Sequence, residues 1–236
     1  MDRPPRATVV AVVLSASMLA CTATKEAPSY LASLDYQGRE TLRQSLFKED
    51  LSLLSNEDIE RILTSKIELP HGARMSVLQL GGDSHVLVLP EPDSESSNLL
   101  RSLRDQLAGS QRLTSVAFLP SLLVPRTLSV AKLREAAARF QSDLLFVYRT
   151  PCLQFERNRF LGADQAKAYC VAEGVLLDVR TGIIPFSSTA SSTFGASRSA
   201  EDLNAYETMR RSQSEAMVEA LSGLAGKLVE FLGSAP

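Results

Sequence analysis

The chain predicts an α/β (α+β) fold: a small mixed sheet of about five strands covered by helices and closed by a long C-terminal helix. Three observations carry this reading. Residues 113–149 alternate strand, helix and strand patterns. Residues 169–179 and 183–194 are β-prone runs flanking Arg180-Thr181-Gly182, which reads as a hairpin turn. Met217, Leu221, Leu224, Leu228 and Phe231 recur at three- and four-residue spacing, the signature of an amphipathic helix.

The chain opens with Arg3 and Arg6 ahead of an apolar run, 7–20, broken only by Thr8, Ser15 and Ser17. A basic start followed by a short apolar run is the layout of a secretory signal peptide, here residues 1–20. The run has 14 residues, short of the ~20 that a spanning helix requires. Residues 22–29 are small, polar or charged, so 21–30 reads as a tether.

Residues 31–70 read as a helical N-terminal segment, with a short helix over 34–47 and a second capped by Ser55. Glu57 and Asp58 favour the positive end of that second helix; Ile59, Ile62 and Leu63 share one face, and Pro70 ends the segment. Residues 71–236 then form the mixed domain.

Within it, runs 75–80 and 85–89 around Gly81-Gly82-Asp83-Ser84 read as a hairpin. The stretch from Ser94 to Ser97 can cap a helix through Leu99, Leu100, Leu103 and Leu107, stopped by Gly109. A strand over 113–119 follows. Ser129 caps a helix whose Val130, Leu133, Ala137 and Phe140 share a face, and 143–149 returns as a strongly apolar strand. Such a unit makes a crossover between parallel strands. The hydroxyl-rich residues 187–192 suit an exposed edge. The final helix runs from about Ser197–Ala200 to Leu232; residues 210–215 are polar enough to suggest that its N-terminal half projects from the sheet.

Hydrophobic residues make up 44% of the chain and charged residues 22%, enough for a sizeable core. The formal charge of −2 becomes about −3 if residues 1–20 are removed, and nothing in that balance favours nucleic acid.

Past Cys21, only Cys152 and Cys170 remain. They fall at the end of one strand and the start of the next, so antiparallel pairing would oppose them. In an oxidising compartment this gives a disulfide worth ~3 kcal/mol on loop-entropy grounds; the alternative is two buried thiols. The enclosed segment carries Phe155, Arg157, Arg159, Phe160 and Lys167. Cations interleaved with aromatics, Arg157, Arg159 and Phe160 above all, suit an anionic sugar polymer, a lipid headgroup or an acidic partner. The plainer reading is a solvated loop.

The chemistry of catalysis is poorly represented. His71 and His85, the two histidines, have no metal-ligand spacing, no serine sits in a nucleophile elbow, and Gly81-Gly82 lacks the rest of a phosphate loop. No catalytic residue, metal or cofactor is expected.

Met18-Leu19-Ala20-Cys21 resembles the lipobox of bacterial lipoproteins, with Met18 in place of the usual leucine. The resemblance implies that Cys21 becomes the lipidated first residue. Several acyl chains, palmitate among them, would hold it stably where one would not. Residues 142–148 (SDLLFVY) and 176–182 (LLDVRTG), with the order of elements, resemble a broad group of envelope lipoproteins. That group includes the curli-secretion lipoprotein, the activators of penicillin-binding proteins and the related amino-terminal domain of TolB.

The resemblance implies a lipid-anchored module contacting another envelope component. Thr22, rather than aspartate, after Cys21 fits the outer membrane with the domain facing the periplasm. The expectation is a non-enzymatic binding or assembly partner, anchored in the membrane by lipid and engaging an envelope protein, with a homo-oligomer also open. A peptidoglycan- or lipid-directed hydrolase and a sugar- or lipid-binding module are the alternatives.

Overall fold

The computed structural model describes residues 54–80, 95–124, 128–157, 165–200, 202 and 204–235. The signal peptide, Cys21, the tether, the 34–47 helix, the 85–89 run, Arg159 and Phe160 lie outside the described residues. The elements are α1 (Asn56–Thr64), β1 (Ala73–Gln79), α2 (Glu95–Ala108), β2 (Leu113–Phe118), a 3₁₀ turn (Ser121–Leu123), α3 (Val130–Arg139), β3 (Leu144–Arg149), β4 (Cys152–Arg157), β5 (Gln165–Asp178), β6 (Phe186–Ser197) and α4 (Ala205–Ser234).

The fold is mixed α/β around one six-stranded sheet. β5, 14 residues long, organises half of it. Along one edge it pairs antiparallel with β3 and then β4; along the other it pairs with β6. The β3 and β4 registers are continuous, Arg149 facing Glu173 and Cys152 facing Cys170. The two are therefore one strand interrupted at Thr150-Pro151, where proline has no N–H for the ladder. This is why a sheet with five strand positions holds six strands.

β1 lies between β2 and β3 and runs parallel to both. The strand–helix–strand unit over 113–149 thus has parallel strands, with β1 inserted between them. The second run of the hairpin expected between 75–80 and 85–89 lies outside the described residues. The apolar β1 is buried between two parallel neighbours, in the part of the sheet where both faces are covered.

Two apolar layers sandwich the sheet. Met75, Val77, Phe146, Tyr148 and the even-numbered residues of β5 meet α2 and α4. Leu78, Leu145, Val147 and Leu177 meet Leu133, Ala136 and Ala137 of α3 on the other face. α3 is capped by Ser129, whose Oγ accepts from the Lys132 N–H at 3.3 Å. α1 is capped by Ser55, which accepts from Asp58 N–H at 3.1 Å, but it buries no residue; Ile59, Ile62 and Leu63 remain exposed.

α4 corrects the expectation of a projecting N-terminal half. Thr208, Ser212, Ala216 and Ala220 are buried, as are Leu221, Leu224, Leu228 and Leu232 beyond them. The polar stretch misled because a hydroxyl can satisfy itself on nearby backbone: Ser212 Oγ donates to the Thr208 carbonyl at 3.0 Å. Small side chains on α4 meet Ala166, Ala168, Cys170, Ala172 and Gly174 on β5. The helix starts at residue 205, where Asn204 caps it by accepting from the Glu207 N–H at 3.1 Å.

Both ends of α4 are fastened. At its C-terminus Arg112 donates to the carbonyls of Leu232 (2.9 Å) and Ala235, acceptors the helix leaves open, and also to that of Leu69 (2.8 Å) ahead of β1. At its N-terminus the Asp202 carboxylate takes hydrogen bonds from the Ser199 N–H (2.8 Å), Thr208 Oγ1 (2.9 Å) and the Arg211 guanidinium (2.8 Å). The Ser199 N–H leads, and with the other donors it outweighs desolvation, drawing the Asp202 pKa from 3.8 down to about 2.

The 178–183 turn takes the form expected of it. Thr181 Oγ1 donates to Asp178 Oδ2 at 2.7 Å, the Gly182 N–H reaches the Asp178 carbonyl at 2.8 Å, and Gly182 adopts φ 79°. Arg134 of α3 donates to the Val179 and Arg180 carbonyls, joining the turn to the second layer. Nearby, desolvation opposes ionisation of Asp143, but the Arg74 N–H and the guanidinium groups of Arg180 and Arg74 prevail, leaving its pKa lowered.

Two outcomes test this packing. A Cβ at Gly174 would lie 2.7 Å from Phe146 Cε2 and 3.0 Å from Leu224 Cδ2. Gly174→Ala should therefore destabilise the protein by about 1–3 kcal/mol, read as a lower denaturant midpoint; an unchanged midpoint would refute the close seat of α4. Because the folded pKa of Asp202 lies below its unfolded value, its contribution is complete above about pH 4 and disappears as pH falls toward 2. Carbon-13 NMR titration should place its midpoint near 2, and an ordinary midpoint near 4 would mean that the network is absent in solution.

Candidate functional site

The alternation of β5 assigns its two faces opposite fates. Even-numbered residues 166–176 are buried under α4, whereas Lys167 and Tyr169 are exposed and Val171, Glu173 and Val175 half-buried. α3 covers the second face only around Leu145, Val147 and Leu177. Beyond that, among the described residues, no helix lies over the face formed by β4, the first part of β5, and β6.

Cross-strand register writes out this open surface in rows. Phe155, Lys167 and Gly195 stand side by side; Leu153, Tyr169 and Thr193 form the next row; Val171 and Ser191 follow; then Arg149, Glu173 and Thr189. Phe155 is 40% exposed and Tyr169 38%, an unusual presentation of aromatic area for a solvated sheet face. Arg149 and Glu173 form an ion pair at the inner limit of the surface. Ser187, Thr189, Ser191 and Thr193 add a line of exposed hydroxyls along β6.

At the outer end, Gly195 contributes no side chain to its row. A recess of about 430 Å³ opens there, lined by Phe155, Gln165, Lys167, Gly195 and Ser197 among others. An aromatic ring, an ammonium group, the Ser197 hydroxyl and the Glu156 carboxylate border it. This arrangement can stack against a flat apolar group and neutralise an adjacent anion; it contains no paired nucleophile and base. Among the described residues, no group of three or more His, Cys, Asp or Glu side chains could hold a metal ion.

Cys152 and Cys170 are joined in a disulfide, their Cα atoms 4.1 Å apart as directly opposed residues of β4 and β5. The segment between them is not simply a loop: residues 152–157 and 165–170 pair as two strands of a hairpin. Phe155 and Lys167 thus face each other across strands rather than sharing a loop. Arg157 pairs with Gln165 at the end of this ladder, while Arg159 and Phe160 fall outside the described residues. Sequence reading missed Tyr169, Gly195 and the β6 hydroxyls as site residues; the strict alternation over 165–176 was the available signal.

No protein-family model and no curated protein matches this chain. Solved structures that align with it in part include the protein CT253 from Chlamydia trachomatis, at 10% identity and TM-score 0.42, covering 69% of this chain and 98% of that one. The PelC dodecamer from Paraburkholderia phytofirmans aligns at 16% identity and TM-score 0.34, covering 69% and 94%. Lipoprotein GNA1162 from Neisseria meningitidis aligns at 15% identity and TM-score 0.32, covering 67% and 93%. Among the described residues, no helix is long and apolar enough to cross a membrane.

The disulfide cross-links the two strands that present the aromatics. Replacing both Cys152 and Cys170 with serine should lower stability by ~3 kcal/mol and raise amide exchange first in residues 152–157 and 165–170. Equal exchange in oxidised and serine forms would contradict a role for the bridge in holding the open face.

Proposed function

We propose that the protein is a lipid-anchored envelope lipoprotein, tethered through Cys21 to the outer membrane and facing the periplasm, where it serves as a non-enzymatic binding or assembly module. The lipobox-like Met18-Leu19-Ala20-Cys21 supports the anchor, and the Cys152–Cys170 disulfide suits an oxidising compartment. The observation that carries the binding role is the open face of β4–β6. One face of this half-sheet is consumed by α4, while the other holds Phe155 and Tyr169 at the surface on a rigid antiparallel scaffold. Exposed aromatics on rigid elements are the residue class that anchors protein interfaces.

The recess beside Lys167 favours a second reading, a module for an anionic sugar or lipid headgroup, because the ammonium stands directly opposite Phe155. One experiment separates the two. A photoreactive amino acid placed at Tyr169 in the full-length protein should capture an envelope protein in living cells, and Phe155→Ala should abolish the product. Both side chains are substantially exposed, so stability should change by no more than about 1 kcal/mol. Capture of glycan or lipid alone, lost with Lys167→Ala, would favour the second reading. Metabolic labelling with palmitate should depend on Cys21; unlabelled wild-type protein would remove the anchor.

A further inference from the structure

β6 ends the sheet, and its outer side is paired with no strand among the described residues. The alternation of the ladder shows which backbone groups face that side. Cys152 and Cys170 are directly opposed at 4.1 Å, the spacing of a non-hydrogen-bonded antiparallel pair. The N–H of the next residue, Val171, donates to the Pro151 carbonyl at 3.0 Å. Odd-numbered β5 residues therefore bond toward β4, and even-numbered ones toward β6. Since Cys170 faces Ser192, even-numbered residues of β6 bond inward.

The N–H and C=O groups of Ser187, Thr189, Ser191, Thr193 and Gly195 consequently point out of the sheet. Lys227 of α4 confirms the direction, because its Nζ reaches around the edge to the Thr189 carbonyl at 2.7 Å.

The strand itself carries none of the usual protection. Among the described residues α4 supplies two cations, Lys227 at the Thr189 carbonyl and Arg211 at the Ser197 carbonyl near the strand end, which leave the outward N–H groups and the carbonyls of Ser187, Ser191 and Thr193 open to a second strand. Proteins blunt exposed edges with short strands, prolines or charges; β2, at the opposite edge, has six residues. β6 has 12, FSSTASSTFGAS, with no proline and no charged residue. Such a strand can meet an identical strand without like-charge opposition.

We propose that β6 pairs antiparallel with β6 of a second copy of this chain, about a twofold axis at Ala190, continuing one sheet through both subunits. Thr189 then faces Ser191 of the second copy, and Ser187 faces Thr193, so that outward-pointing groups bond outward-pointing groups. The axis is set by charge. Gly223 lies over Ala190, where an added Cβ would come 3.4 Å from the alanine Cβ. Glu219 and Lys227 sit one turn to either side, both reaching β6, at Ser192 and Thr189. An antiparallel copy centred there brings Glu219 of each subunit to Lys227 of the other. The open face with Phe155 and Tyr169 stays uncovered and is doubled in extent.

The test uses full-length protein purified in detergent, with Ser191→Cys and a short bis-maleimide. Cys152 and Cys170 are already bonded to each other, and protein without the Ser191 substitution controls for Cys21. A covalent dimer is expected. Adding Glu219→Lys should cut its yield roughly tenfold, as loss of about one such ion pair per subunit implies, and further adding Lys227→Glu should restore it to within about twofold. Ser191→Pro, which deletes an outward N–H that β5 does not use, should leave the circular dichroism spectrum intact and give a monomer by analytical ultracentrifugation. A monomeric parent protein, a dimer indifferent to Ser191→Pro, failure of the charge exchange to rescue, or Ser191 crosslinks solely to a different protein would each overturn the proposal.

Discussion

The seating of α4 on the small residues of β5 is the contact on which the remaining architecture depends. Ala166, Ala168, Cys170, Ala172 and Gly174 form a nearly smooth row, and Thr208, Ser212, Ala216 and Ala220 supply a matching row on the helix. Small residues on both sides let backbone and backbone approach closely, and dispersion contacts then extend along the helix rather than being confined to a few large side chains. Gly174 marks the tightest point, with the Phe146 ring occupying the space a side chain would need. One face of the half-sheet is thereby fully used. Strand alternation leaves the other face to solvent or to a partner.

The devices that fix α4 act at its ends, where a helix has unsatisfied backbone groups. Arg112 ties two carbonyls of the C-terminus to that of Leu69, and Asp202 gathers donors from Ser199, Thr208 and Arg211 near the N-terminus. Between them the disulfide ties β4 to β5 beneath the first turns of the helix. The open face is thus presented by strands held from behind by a clamped helix and in their own plane by a covalent bond. Such rigidity is what the proposed binding role would require, because the ordering cost is met within the fold itself.

Much of the local structure was legible in the chain. Ser55 and Ser129 cap their helices, Asp178-Val179-Arg180-Thr181-Gly182 makes its turn, and the hydroxyl-rich run becomes an edge strand. These outcomes rest on interactions spanning a few residues, so the sequence signals are strong. What the sequence hid is long-range: residues 73–79 pair with β2 and β3, and the polar-looking start of α4 is buried because its hydroxyls bond the helix backbone. Of the candidate site, Phe155 and Lys167 were visible as an aromatic and a cation in one segment, but Tyr169 and Gly195 became part of it only through register.

By itself, the sequence determined the fold class, the Ser55 and Ser129 caps and the Asp–Thr–Gly turn, since each follows from periodicity or local hydrogen bonding, and it put Cys152 and Cys170 on adjacent strands with their pairing as one of two readings. The resemblance of Met18-Leu19-Ala20-Cys21 to a lipobox supplied the expectation of an anchor. Only tertiary structure decided that β1 enters between β2 and β3, that α4 lies along its whole length on β5, and that Phe155 and Tyr169 look outward. The reason is physical: a residue's alternation says that it points to one side of a sheet, but which side is buried depends on where a helix distant in the chain comes to rest.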